Sequence, residues 1–325
     1  MHMQILSVLL LSFLPISIAY SFTDHPPHSI TTFYDYQLYA DASKRTPQKP
    51  ITSLPSTIIN ADVILVGEWH SHSAVHRFQA ELYQQLLMHN TQVALSMEQF
   101  SRPAQKTVDE YLKGNIGELS FIAHANAWPN YSSDYRALIE QAKSAGMPVI
   151  AANAPRKLVR CIGQIGPSYL DSLETEQRAF IAKELDISDR PYKDNFKQVM
   201  QGVAEDRIEK LYAAQVAWDE TMAESIALHH AHSPHQQILH IAGRFHVENG
   251  MGIAYSLHKR VPKLKIALIT PVSSLEESLG MSQHPEYRLL VLPIPQQIIT
   301  AHQHQSLEDS GAKHPKLQNN AACKE

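Results

Sequence analysis

The chain has 325 residues, 44% of them apolar and 18% charged, enough to bury a large core in one or two domains. A formal net charge of -4 leaves no broad basic surface, which argues against nucleic acid and anionic lipid as partners. With 19 His against 2 Cys, any metal chemistry has to use imidazole and carboxylate, and no disulfide framework is available. Cys161 and Cys323 can pair only if the polar C-terminal tail folds back, so they are expected to stay apart.

The first segment carries an apolar run from Ile5 to Ile18, interrupted by Pro15. A bilayer-spanning helix needs about 20 apolar residues, so the run reads as a signal peptide, residues 1–19, cut after Ala19. No Cys lies near that cut to accept a lipid. The mature chain is therefore expected in the periplasm or outside the cell, with no stable membrane span. Residues 20–56, with "DHPPHS" and "TPQKPITSLP", read as an extended connection.

From Asp62 onward, short runs rich in Val, Ile and Leu alternate with amphipathic segments: "DVILVGE", "VHRFQAELYQQLLMH", "QVALSMEQF", "SSDYRALIEQAKSAG" and "MPVIAANAP". Apolar runs without period-2 alternation suit strands covered on both faces, and Phe78, Leu82 and Leu86 show helical spacing. The pattern predicts an α/β fold with a mainly parallel sheet flanked by helices, over residues 57–295. A mostly helical stretch interrupts it, a subdomain at about 157–232, before strands return at "QQILHIAG", "LKIALIT" and "YRLLVLPIP". Residues 296–325 are polar and read as a disordered tail.

One small pattern recurs. G-x-x-H occurs as "GEWH", Gly67 to His70, and as "GRFH", Gly243 to His246, each directly after a buried-type strand. Glycine lets the backbone turn at the strand exit, and the His can point over the carboxyl edge of the sheet, where ligands of open parallel sheets bind. Two further strands end in Glu98 and Asn153. A lone His at a strand end is more often structural, but two copies beside a strand-terminal Glu point to a site. Two imidazoles with carboxylates are a usable ligand set for a divalent metal ion, here His70, His246 and Glu98. Such an ion would polarise a carbonyl or activate water, with Glu68 or Glu98 as general base.

The stretches "VILVGEWHSHSAVHRFQAELYQQL", "VALSMEQFSRPAQKTVDEYLKGNI", "YRALIEQAKSAGMPVIAANAPRKLV", "YAAQVAWDETMAESI" and "HIAGRFHVENGMGI" resemble the ChaN family of haem-binding, iron-regulated bacterial proteins. That family is grouped with the Tiki and TraB proteins and, more distantly, the erythromycin esterases. The resemblance runs from about Ile58 to Leu292. It implies an α/β core with a helical subdomain, a cell-envelope location, a role in iron or haem acquisition, and a homodimer able to hold haem between protomers. It also marks Gly67, Glu68, His70, Glu98, Gly243 and His246 as the metal or catalytic site, with Arg102, Gln105 and Asn153 in family-matching positions. Many family members look like lipoproteins, a feature this chain lacks.

Haem needs an axial ligand and an apolar slot. Tyr212 has the right chemistry within a family-like helix, although Tyr212, Trp218 and Met222 equally suit the apolar stripe of a buried helix. Two functions stay open: an envelope haem-binding protein, or a metal-dependent hydrolase of the Tiki or erythromycin-esterase kind. Three weaker signals remain. "HHAHSPH", His229 to His235, reads as a solvated connection; His76 either lines the pocket mouth or faces solvent; "ENGMGI" is a candidate anion cradle with a helix starting at Met251.

Overall fold

The computed structural model describes residues 30–40, 49–90, 92–277, 280, 282–295 and 323. The signal segment predicted at 1–19, and the predicted tail apart from Cys323, lie outside the described residues.

In chain order the fold opens with β1 (Tyr36–Ala40), α1 (Ser56–Ile59), β2 (Val63–Glu68), α2 (Ser73–His89) and β3 (Val93–Ser101). Next come α3 (Gln105–Leu112), α4 (Glu118–His124), a π-helical turn at Tyr131–Tyr135, α5 (Arg136–Ala145) and β4 (Val149–Asn153). Helices α6 (Arg156–Ile165), α7 (Thr175–Arg178), α8 (Pro191–Val199) and α9 (Glu205–His232) lead to β5 (Gln237–Gly243). The described core closes with α10 (Arg244–Val247), α11 (Ile253–Arg260), β6 (Ile266–Val272) and β7 (Glu286–Val291).

The strands form one seven-stranded sheet in the order β1-β7-β6-β2-β5-β3-β4. Only β1 runs antiparallel, against β7. This strand lies inside the stretch read from sequence as an extended connection; five residues after a Pro- and His-rich segment gave no separate strand signal. The α/β, mainly parallel architecture is otherwise as predicted. Because β2, β5, β3 and β4 are neighbours, their carboxyl ends share one edge of the sheet.

Every residue of β2, β4, β5 and β6 is buried, which is why their sequences are continuous apolar runs. Side chains alternate between the two faces. Ile64, Val66, Leu95, Met97, Leu239 and Ile241 pack with Val75, Phe78, Leu82 and Leu86 of α2 and Leu138 and Ile139 of α5. Val63, Leu65, Ala94, Ile238 and Ala242 pack on the other face with Met222, Ala223 and Ile226 of α9 and Ile253 and Leu257 of α11. Each such Val, Leu or Ile contributes roughly 1.5–3 kcal/mol of burial. Helix α9 thus has two roles: its second half covers the sheet, while Ala213, Ala214 and Ala217 pack with α6, and Ile208, Tyr212 and Val216 with α8.

Two expectations are corrected here. Cys161 and Cys323 form a disulfide, so the end of the tail does return to the molecule, onto α6. Cys161 is buried and Cys323 packs on the same small cluster of Ala154, Leu158 and Ile162, an apolar seat that the polar tail sequence does not advertise. In addition, His229, His230 and His232 belong to the last turn of α9 rather than to a loop, with His232 Nδ1 against the Leu228 carbonyl.

Candidate functional site

Glu68 ends β2, and the pleat sends its side chain to the α2/α5 face, where it is 2% exposed. A buried carboxylate costs several kcal/mol in lost hydration unless donors replace the water. Four do so: Gln79 Nε2 to Oε2 at 2.8 Å, and Gln99 Nε2 (3.0 Å), Tyr135 Oη (2.7 Å) and His70 Nδ1 (2.8 Å) to Oε1. At roughly 1.5–3 kcal/mol for each hydrogen bond to a charged group, they offset the burial. Burial alone would raise the Glu68 pKa; the His70 hydrogen bond and the nearby His76 and His70 charges bring it below the ordinary value.

His70 lies just past the strand, with its side chain 48% exposed. Glu68 fixes its Nδ1, and the edge of the Trp128 ring lies against it at 4.9 Å between centroids. Burial alone would lower the His70 pKa, but the Glu68 hydrogen bond and the Glu98 charge raise it. His76 is neither at the mouth nor in solvent. It is buried behind the site, its Nε2 against the His70 carbonyl and its Nδ1 against Gln79 Oε1.

Glu98 emerges on the opposite face of the sheet, toward α9, and its Oε2 accepts the Gly243 N–H at 2.6 Å. Between Met97 and Ser101 the β3–β4 register shifts, an irregularity of the kind that re-aims side chains beside sites. His246, on α10, presents Nδ1 to Asp219 Oδ1 at 2.7 Å and Nε2 toward Glu98 Oε1 at 3.7 Å. Burial would lower its pKa, yet Asp219 and then Glu98 outweigh that and raise it to about 9, so His246 carries a proton at neutral pH.

The two halves meet over Gly243. A methyl group there would lie 3.0 Å from His70 Cε1, 3.1 Å from His70 Nε2 and 3.5 Å from His246 Cδ2. The absence of a side chain at that glycine therefore lets the imidazoles of both G-x-x-H motifs approach the same point on the rim.

The other predicted residues stand differently. Asn153 ends β4 as expected, but its amide donates to the Glu98 carbonyl and its Oδ1 accepts the Ala154 N–H, so it braces the backbone. The Arg102 guanidinium is committed to Ser225, Ala179, Thr221 and Glu224 and ties β3 to the helical layer. Gln105 joins β4 through Val149 and Ala151. Tyr212, the predicted haem ligand, is 0% exposed and packed with Tyr192, Phe196 and Val216, which leaves it no face for a macrocycle. The "ENGMGI" turn places its helix from Ile253. Among the described residues, no group of three or more His, Cys, Asp or Glu side chains could hold a metal ion. The predicted set of His70, His246 and Glu98 is not assembled for one, because the carboxylate is turned onto the Gly243 N–H and the His246 ring onto Asp219.

Sequence reasoning missed Gln79, Gln99, Tyr135 and Asp219. Gln79 and Asp219 sit on helices at positions that read as ordinary polar residues. A buried His240, hydrogen-bonded to Ser96 and held neutral by burial at a pKa of about 3, also lies in β5 beneath the rim.

No helix among the described residues is long and apolar enough to cross a membrane. No curated protein sequence matches the chain. Among solved structures it is similar to ChaN of Campylobacter jejuni, described as showing cofacial haem binding, with 18% identity, a TM-score of 0.58, and coverage of 78% of this chain and 96% of that one. An erythromycin esterase mutant, EreC in its open conformation, aligns with 15% identity and a TM-score of 0.41, over 78% of this chain and 81% of that one. The family model described as haem-binding uptake, Tiki superfamily, ChaN matches residues 54–257, more than half of the chain, and the protein belongs to that family.

Proposed function

We propose that the protein binds haem at the rim crevice, with His70 as an axial ligand. One observation carries this reading: His70 is a half-exposed imidazole whose Nδ1 is anchored by a buried carboxylate, leaving Nε2 for a ligand. A carboxylate behind a ligating His fixes the ring and raises its basicity. Haem also needs apolar surface. Trp128 edges His70, while Trp69 and Phe33 flank the adjacent His72, giving the rim an aromatic border. The residues therefore fit the group. When bound, haem would supply the iron; the chain orients the imidazole and shields one side of the site.

The same proposal includes an envelope location, a role in iron or haem acquisition, and a homodimer. The Cys161–Cys323 disulfide supports export, since cystines persist in oxidising compartments. Titrating hemin into purified protein tests the reading: a saturable Soret shift supports it, and its absence removes it. Size-exclusion chromatography with and without hemin tests the dimer.

A second, hydrolytic reading rests on the two carboxylate–imidazole pairs, Glu68–His70 and Asp219–His246, meeting beside Glu98. Such pairs are suited to moving protons to and from water and a leaving group. Elemental analysis for a stoichiometric divalent ion, with turnover of model esters and amides, separates this reading from simple haem binding.

A further inference from the structure

Asp219 is 2% exposed on α9, and its two oxygens have separate partners. Oδ1 accepts from His246 Nδ1 at 2.7 Å, and Oδ2 accepts from Tyr192 Oη at 2.7 Å. Gln215, one turn earlier on α9, donates from Nε2 to the same tyrosine oxygen at 3.0 Å, and that Nε2 also lies 2.9 Å from His246 Nδ1. The shorter, charge-assisted contact to Asp219 Oδ1 keeps the hydrogen on the ring nitrogen and leaves the Gln215 amide to the tyrosine. The chain Tyr192–Asp219–His246 therefore runs from α8, through α9, to the rim.

Two packing features hold that chain. A methyl group on Gly252 would lie 2.9 Å from Asp219 Oδ1 and 2.6 Å from the His246 carbonyl oxygen, so only glycine lets this backbone close on the carboxylate. Phe245, next to His246, packs on Tyr192 at 5.2 Å and Phe196 at 6.1 Å between centroids. The aromatic side of α8 thus contacts the His246 segment twice, through the ring of Phe245 and through the hydroxyl of Tyr192.

We infer that Asp219 is the positioning residue of His246 and Tyr192 the outer member of the same chain, so that the docking of α8 sets the orientation of the rim imidazole. The inference stands on the geometry and does not depend on which ligand the rim takes. A carboxylate at Nδ1 selects the state in which that nitrogen carries hydrogen and Nε2 faces Glu98. An amide in its place keeps the shape; with its oxygen held by the Tyr192 hydroxyl donor, it turns an N–H toward Nδ1, which favours the other tautomer.

The test is long-range proton–nitrogen NMR of the full-length protein with labelled histidine, His246 being assigned by its loss in His246→Gln. Wild type should show a protonated Nδ1. Asp219→Asn should move that nitrogen into the unprotonated range while circular dichroism stays native. Tyr192→Phe keeps the ring in its cluster and is the safer variant for folding; it should leave Nδ1 protonated but speed exchange of that proton with water by about tenfold, as expected for loss of one hydrogen bond to a charged acceptor. The inference is overturned if Nδ1 is unchanged in a folded Asp219→Asn protein, or if Tyr192→Phe exchanges at the wild-type rate. Because neither readout uses hemin, failure here is distinct from failure to bind haem.

Discussion

His70 and His246 approach the same point above Gly243 although they are anchored on opposite faces of the sheet, His70 by Glu68 beneath α2 and α5, His246 by Asp219 of α9. Each imidazole has one nitrogen tied to a buried carboxylate and the other directed to the rim. The glycine between them is the feature most open to test.

Gly243→Ala introduces a methyl group 3.0 Å from His70 Cε1 and 3.1 Å from Nε2. Because His70 is half exposed, its ring can swing outward, but only by giving up its hydrogen bond to Glu68, so a stability cost of about 1–3 kcal/mol is expected. Hemin affinity should fall by about tenfold as the ligand loses its preset orientation. Thermal denaturation and a hemin titration of the same sample measure the two effects. A large loss of Tm with unchanged hemin binding would contradict the assignment.

The Glu68 anchor is expected to matter for folding as well as binding. Tyr135→Phe and Gln79→Ala each remove one of its four donors, and each should destabilise the chain by about 1–3 kcal/mol. Urea denaturation of the two single variants and the double variant checks this. Because both act on one carboxylate, the double variant should fall short of or exceed the sum of the singles.

How far the sequence revealed this site follows from the kind of signal each residue gives. Glu68, His70, Glu98 and His246 were legible because each lies at or just beyond the carboxyl end of a continuous apolar run, and such runs identify buried parallel strands. Gln79, Tyr135 and Asp219 were not, since a polar residue on a helix usually faces water and only the packing of α2, the π-helical turn and α9 turns these inward. Asn153 was read as a chemical group because it ends a strand and Arg102 because it matches the family pattern; the structure uses their donors to bind backbone and helix instead. The Cys161–Cys323 link was hidden by distance along the chain and by a tail with no apolar periodicity.

Stability should depend on pH through His246. Its folded-state pKa of about 9 lies above the unfolded value, so its contribution is complete below pH about 6.5 and is lost as pH rises through about 9. Glu68 acts in the other direction: its lowered pKa stabilises the fold above the unfolded carboxylate value and that contribution is lost on acidification. A Tm series from neutral to alkaline pH should decline for wild type and be flatter for His246→Gln. Parallel slopes for the two proteins would contradict the assignment.

Reduction of the disulfide, or Cys323→Ser, should cost about 2–4 kcal/mol, because the link closes a long loop. Hemin binding is expected to persist, because neither cysteine touches His70 or its Glu68 anchor. Chemical denaturation with and without reductant measures the loss, and reductant should have no further effect on Cys323→Ser.

The most direct measurement is a hemin titration of wild type beside His70→Ala and Tyr212→Phe, each confirmed folded by circular dichroism. The account predicts a saturable Soret shift for wild type, an affinity within about twofold for the buried Tyr212→Phe, and a loss of about tenfold or more for His70→Ala. Wild-type binding by His70→Ala, or its loss in a folded Tyr212→Phe protein, would contradict the claim that the rim imidazole is the ligand.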